Sequence, residues 1–399
     1  MAKLKKIGYG YVFLLFFVLS LTSASYRLEI DPPMENENNS LDKEELNPRS
    51  ANYWNNIDFI HIDGNWSDAS RDLPWVQGDG NWSNPFRIEN VTIDASGLTS
   101  NNPLWIRNTN EYFIIKNCTI LNCGHINGED GGITLEWAHN GTITGCNFTD
   151  NYESIDINLS NNISIIDNDL IGKGIGTGIN VRNCQDCKIL NNRISNMEYR
   201  GLFLQQSSEH NQIRGNTISN THRAGQGNGI TIQDSHNNAI EQNTLKENDN
   251  GIAFTGSASF NNITGNEIED NEKLGALAEL NTQNNTFHSN QFNNPGSGVK
   301  NAVDNGTDNK WDNGEIGNYW HDYEGKDEDD DGIGDDPYAI SGTANAIDNY
   351  PIWDDGDEKE EKDDTDDEVP AIPGFPFGFL MGIMSLSVLG LIILRKFKK

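Results

Sequence analysis

Apolar and polar residues alternate in short bursts through the middle of the chain, and the bursts recur. Gly132-Ile133-Thr134-Leu135 returns as Gly178-Ile179-Asn180-Val181, Gly201-Leu202-Phe203-Leu204, Gly229-Ile230-Thr231-Ile232 and Gly251-Ile252-Ala253-Phe254, with degenerate copies starting at Ser154 and Gly275. The mean spacing is about 24 residues. A second phrase, Ile-x-x-Asn-x-Ile, sets Asn168, Asn192, Asn216, Asn243, Asn266 and Asn290 in one register, and the same register carried backwards reaches Cys146, Cys118 and Val91.

Alternation inside each phrase is the period of a strand, and no stretch between the two ends carries a convincing 3.6-residue helical period. Short strands repeated at this interval specify a solenoid in which each coil stacks on the next. A leucine-rich repeat has a similar period but needs Leu at most consensus positions and a helical segment; here Ile, Gly and Asn dominate. The expected fold is all-β: a single-stranded, right-handed parallel β-helix of about nine coils with three short strands per coil. Isoleucines stack inward and the Asn side chains bond from coil to coil as a ladder. Nine coils at roughly 4.8 Å make a rod of about 43 Å.

Composition sharpens the setting. The 399 residues hold 28 Lys+Arg against 60 Asp+Glu, a formal net charge of −32, and 56 are Asn. Such a chain repels phosphate, which excludes a nucleic-acid partner. Only the two ends are strongly apolar, so a multi-span membrane protein is excluded as well. Lys3, Lys5 and Lys6 followed by apolar Tyr11 to Leu21 and small residues near Ala24 predict a signal peptide over 1–24. A polar segment over 25–50 predicts disorder. Phe375 to Leu394 is long enough to span a bilayer, and Arg395, Lys396, Lys398 and Lys399 after it predict a cytoplasmic tail and an outward body. The expected organisation is a β-helix with an N-terminal cap over 51–323, an acidic closing segment over 324–353, an acidic stalk over 354–372 and a transmembrane or sorting segment over 373–399.

The repeats resemble those of the parallel β-helix family that includes the periplasmic copper-binding (NosD-type) proteins and the carbohydrate-binding and sugar-hydrolysis domains. The flanks resemble archaeal surface members: an entry segment from Asp58 to Asp94, and a closing segment with Gly317-Asn318-Tyr319-Trp320, Asp331-Gly332-Ile333-Gly334-Asp335-Asp336-Pro337-Tyr338 and Asp348-Asn349-Tyr350-Pro351. Pro373-Gly374-Phe375 resembles the sorting signal of such proteins, which implies either a permanent membrane anchor or a processed tail with a lipid anchor. The fold hosts lyases, hydrolases, binders and structural rods, so the resemblance speaks to fold more than to activity.

Candidate chemistry lies in four places. Asp327, Asp329, Asp331 and Asp335 fall at positions 1, 3, 5 and 9 of an EF-hand-type loop, with Gly332 at the turn and the Ile333 carbonyl at 7. This spacing predicts a structural Ca2+ site that closes the open end of the rod, although Tyr338 replaces the bidentate Glu at position 12. The outward positions of the first strand of each coil make a second candidate. Thr134, Asp156, Asn180, Phe203 and Thr231 form one column, and Glu136, Asn158, Arg182, Gln205 and Gln233 its neighbour. Amides and acids bond sugar hydroxyls and an aromatic covers a pyranose, so a flat ligand face for extracellular glycans is expected. Glu136, Asp156 and Arg182 could serve a polysaccharide lyase or glycoside hydrolase there. Third, Cys118 and Cys146 share a ladder position in adjacent coils, within disulfide range, and are the expected bridge among five Cys. Fourth, twelve Asn-x-Ser/Thr sequons offer glycosylation sites. Copper delivery, the remaining alternative, wants clustered Met, His or Cys, and the histidines are scattered. The function expected is that of a surface-anchored rod with a structural or adhesive role and glycan binding. The alternatives are the lyase or hydrolase and, second, a copper-enzyme accessory.

Overall fold

The alternating phrases become the strands of three ten-stranded sheets that wrap one apolar interior. The computed structural model describes residues 59–97, 102–124, 131–174, 176–224 and 226–353. The expected signal peptide, polar segment, stalk and C-terminal span lie outside the described residues. Among the described residues no helix is long and apolar enough to cross a membrane.

The first sheet runs from Ile60–Asp63 through Leu104–Thr109, Gly131–Ala138, Glu153–Asn158, Thr177–Arg182, Arg200–Gln205, Asn228–Gln233, Asn250–Thr255 and Leu274–Ala278 to Lys300–Asp304. The second ends at Thr286–His288, and the third runs from Thr92–Asp94 to Tyr319–Trp320. Neighbours are parallel throughout, except where Val76–Gln77 pairs antiparallel with Phe86–Glu89. The result is a right-handed parallel β-solenoid of about nine coils, with Lys300–Asp304 and Tyr319–Trp320 beginning another.

The repeat is legible in the packing. Ile133, Ile155, Ile179, Leu202, Ile230 and Ile252 stack in register, each 0% exposed. The glycine that opens each phrase has a steric cause. A Cβ on Gly178 would stand 2.5 Å from the carbonyl oxygen of Gly201 and 2.6 Å from a methyl of Ile194. The coils approach so closely there that a side chain has no room.

Asn does two separate jobs. Asn168, Asn192, Asn216, Asn243, Asn266 and Asn290 are buried, and each bonds the next through its amide. Asn211, Asn238, Asn261 and Asn285 build a second ladder, and Asn248, Asn271 and Asn294 a third. The residue just before a ladder Asn turns the corner with positive φ, as in Asp167, Asn191, Asn237, Asn284, Gly215 and Gly265. Asn, Asp and Gly tolerate that conformation best.

Both ends are plugged. A helix over Trp66–Asp72, absent from the sequence-based expectation, buries Trp66 and Ala69 against the first coil. Its apolar face is only these two residues, too little to register as a period. Trp66 stacks on Phe86 at 5.1 Å. At the other end Phe287 stacks on Trp311 at 4.2 Å, Phe292 on Trp320 at 4.5 Å, and Trp320 on Tyr338 at 4.3 Å. The first ladder ends on Asp348, which accepts from the Asn318 amide at 2.7 Å and the Trp320 indole at 2.9 Å. Burial pushes the Asp348 carboxyl up to about 6 despite these donors.

Candidate functional site

The outward columns of the first sheet stand in the expected register: Thr134, Asp156, Asn180, Phe203 and Thr231 lie side by side on successive strands. This column is not open to solvent. All five are buried, Phe203 the most exposed at 8%. Neighbouring side chains lie across them. Thr134 donates to Asn102 at 2.8 Å, Arg182 crosses to Asp156 at 2.6 Å, and Gln205 donates to Asn180 at 2.9 Å. The Arg200 guanidinium sits 4.0 Å over the Phe203 ring, and Asn228 donates to Thr231 at 2.9 Å. The second column of Glu136, Asn158, Arg182, Gln205 and Gln233 is half-buried and forms the accessible floor.

The three residues proposed for catalysis are divided between two ion pairs. Glu136 faces the guanidinium of Arg107 at 3.9 Å, whereas Asp156, 1% exposed, is engaged by Arg182. Glu153, three residues before Asp156 on the same strand, is buried and accepts from Asn180 through both oxygens at 3.3 Å.

The sequence-based reading missed the aromatic and cationic ends of this face. Trp105 continues the Asp156 column one coil further back and pairs with Thr134. It stacks on His61 at 4.6 Å, and Arg107 lies 4.7 Å over it. The alternation of Leu104-Trp105-Ile106-Arg107 was the available signal; the missing leading Gly hid it. Tyr152, Tyr199, Arg200 and Arg223 gather at the edge where the chain enters the sheet.

In the acidic loop, the carboxylates of Asp327, Asp329 and Asp331 converge with oxygens within 4.8 Å of one another. The turn forms because Gly332 takes φ +84 and its amide donates to Asp327 at 2.8 Å. The charge of Asp331, then desolvation, pushes the Asp329 carboxyl upward. Ile333 is pinned by a bridge to Ile352, while Asp335 turns to the Glu328 amide at 2.7 Å. Three convergent, all-oxygen side chains fit a hard divalent cation.

Cys118 and Cys146 are buried thiols, so the bridge expected between them is not formed in this structure. The parallel stack gives both side chains the same direction, each doing a weak version of an Asn's work. The Cys118 amide donates to Cys146 Sγ at 3.4 Å, and the Cys146 amide to Asn168 at 2.9 Å. Cys187 heads the second ladder, its amide donating to Asn211. One histidine joins a potential metal-ligating group: His222, Asp249 and Glu272 on successive coils, with Nδ1 at 3.2 Å from Asp249 and 3.9 Å from Glu272.

The model of a family described as periplasmic copper-binding protein (NosD) matches residues 81–227 and, overlapping them, 178–325, together more than half of the chain. No curated protein matches. Among solved structures, a mutant of a periplasmic alginate epimerase is similar at 15% identity, over 52% of this chain and 53% of that one, with a TM-score of 0.42. The A-module of the mannuronan C-5 epimerase of Azotobacter vinelandii is similar at 14% identity, over 58% and 66%, with a TM-score of 0.42. Tailspike protein 2 from the Escherichia coli O157:H7 bacteriophage CAB120 is similar at 16% identity, over 65% and 38%, with a TM-score of 0.45. The chain thus spans about half the length of the first of these structures.

Proposed function

The chain belongs to the periplasmic copper-binding protein (NosD) family, and from that footing we propose that it is an exported glycan-binding β-helix with a structural or adhesive role. The observation that carries the reading is the half-buried column of Arg107, Glu136, Asn158, Arg182, Gln205 and Gln233, which continues in register along the first sheet beside Trp105. Acid, amide and guanidinium groups repeated coil by coil suit the hydroxyls of an extended sugar chain, and an indole suits a ring face. The solenoid supplies rigidity, so the ligand meets a preformed surface. In this proposal Ca2+, held by Asp327, Asp329 and Asp331 with help from the Ile333 carbonyl and Asp335, stiffens the closing end, and the C-terminal apolar span, or a lipid that replaces it, tethers the rod outside the cell.

A glycan array probed with the protein, with calcium and with chelator, tests the reading. Binding to a defined sugar that is lost in Arg182→Ala and Gln205→Ala is expected; absence of binding to every glycan refutes it. The geometry favours binding over cleavage, because Asp156 lies buried behind Arg182. Sugar cleavage that disappears in the Glu136→Ala, Asp156→Ala double variant would instead establish a lyase or hydrolase. A copper-accessory role is less well suited: the one His-containing ligand group among the described residues pairs a single imidazole with two hard carboxylates, and the cysteines are buried.

A further inference from the structure

We propose that the bound glycan is acidic, and that Arg200 and Arg223 hold its sugar carboxylate at the entry edge of the first sheet. The inference rests on the reading of that sheet as a glycan surface.

Arg200 opens the strand Arg200–Gln205, and its guanidinium carbon stands 4.0 Å over the Phe203 ring. Its Nε is buried and lacks a hydrogen-bond partner, and Arg200 makes no ion pair among the described residues. Arg223 lies 3.9 Å over the Tyr199 ring, with Glu198 at 4.0 Å, the outer limit of an ion pair. The two cations share one corner, where the charge of Glu153 reaches Arg200 and Glu198 stands by Arg223, yet no acceptor meets the buried Arg200 Nε. The buried Arg200 Nε–H, left without an acceptor, marks the place for an anion from outside.

The chemistry of the corner narrows the anion. A guanidinium is a planar fork that matches the two oxygens of a carboxylate, and a buried N–H without an acceptor gains most from one. The rings around it, Phe203, Tyr199 and Tyr152, the two tyrosines 6.5 Å apart, give a sugar ring an apolar wall. Arg200 opens the strand that Gln205 closes, with Phe203 between them, so a chain seated at the corner runs along this strand to reach the Arg182 and Gln205 column. Burial, and then the like charge of Arg223, push the Arg200 pKa downward against the smaller opposing pull of Glu153; a bound carboxylate acts in the same sense as Glu153.

The test uses the protein with hexasaccharides of galacturonate, glucuronate and mannuronate, each against its methyl ester, by titration calorimetry. At least one acid form is expected to bind about tenfold or more tighter than its ester, and binding weakens as salt rises. Arg200→Gln and Arg223→Gln are each expected to lose about tenfold or more, with Arg200→Lys losing less, at unchanged melting temperature. If Arg200→Gln unfolds, Arg223→Gln, whose side chain is 46% exposed, carries the test alone. Equal affinity for acid and ester, or unchanged binding in both Gln variants, overturns the inference. Array binding confined to neutral or sulfated glycans overturns it too, while leaving the sheet as a glycan surface. Failure to bind any glycan removes that surface reading and the inference with it.

Discussion

Replacing Asn243 by Ala removes one rung of the buried ladder, and the structure sets the size of the effect. Asn243 Oδ1 accepts from the Asn216 backbone amide at 3.0 Å and from Asn216 Nδ2 at 2.9 Å. Its Nδ2 donates to the Ile213 carbonyl and to Asn266 Oδ1, both at 2.9 Å. Asn216 Nδ2 keeps a partner in the Ile189 carbonyl at 2.8 Å, and Asn266 Oδ1 keeps the Asn243 amide at 2.9 Å. The Asn216 backbone N–H, however, is left buried with no acceptor. Four bonds at a net ~0.5–1.5 kcal/mol each come to about 4 kcal/mol. Asn243→Asp costs more, since a carboxylate then turns lone pairs toward two other acceptors and brings a charge into a site that is 0% exposed. The control is Asn262→Ala, an exposed position in the strand Asn262–Thr264, expected within about 0.5 kcal/mol of the native protein. Urea unfolding measures all three, and amide exchange at Asn216 reports the orphaned donor directly. If Asn243→Ala costs no more than Asn262→Ala, the ladder is a consequence of the fold and not a support for it.

Three further outcomes follow from other sites. The folded-state pKa of Asp348, about 6, lies above its ordinary value of 3.8, so its stabilising contribution is fully present below pH 3.8 and is lost as pH rises through 6. The whole effect is about 3 kcal/mol, of which about 1 kcal/mol lies between pH 7 and pH 5. Urea midpoints at those two pH values should show it in the native protein and not in Asp348→Asn, while the half-buried His139 and His288, shifted downward by desolvation, act alike in both. Calcium should raise the melting temperature and chelator lower it, with both effects abolished in an Asp327→Ala, Asp329→Ala double variant; an unchanged melting temperature under chelator refutes the site. Cys146→Asn extends the amide ladder upstream, giving the Cys118 amide an oxygen acceptor in place of sulfur, and should leave the unfolding midpoint equal or higher; a fall of more than about 1 kcal/mol would mean the cavity there is shaped for the thiol.

How much could be read from sequence divides along the wall of the solenoid. Inside, every coil must solve the same problem against an identical neighbour, so the solution repeats and can be counted. The Ile stack, the Gly column and the Asn168-to-Asn290 ladder all came from spacing alone. The second and third ladders, at Asn211 and Asn248, obey the same physics but escaped notice, because the high Asn content hid them among the corner residues of positive φ. The corner and ladder positions are adjacent, so an Asn-Asn pair such as Asn191-Asn192 holds one residue of each kind.

Outside the wall each coil is free to differ, and there the period misled. Alternation placed Asp156 and Phe203 outward correctly, yet outward did not mean exposed. Their burial comes from side chains contributed by neighbouring positions, Arg182 over Asp156 and Arg200 over Phe203. Those partners stand at regular positions, but their residue types do not repeat from coil to coil. The departures are instead concentrated where the spacing breaks: the step from Gly201 to Gly229 is the longest among the seven phrases, and its extra residues bring His222 beside Asp249 and Arg223 over Tyr199. Likewise the long step between Leu104 and Ile133 separates Trp105 from the column it belongs to. In a solenoid the regular positions are spent on stability, since changing one coil's share of a ladder costs its neighbours as well. Chemistry peculiar to this protein therefore has room mainly at the irregular steps, and the longest of these carries Arg223 and part of the one histidine-containing ligand group among the described residues.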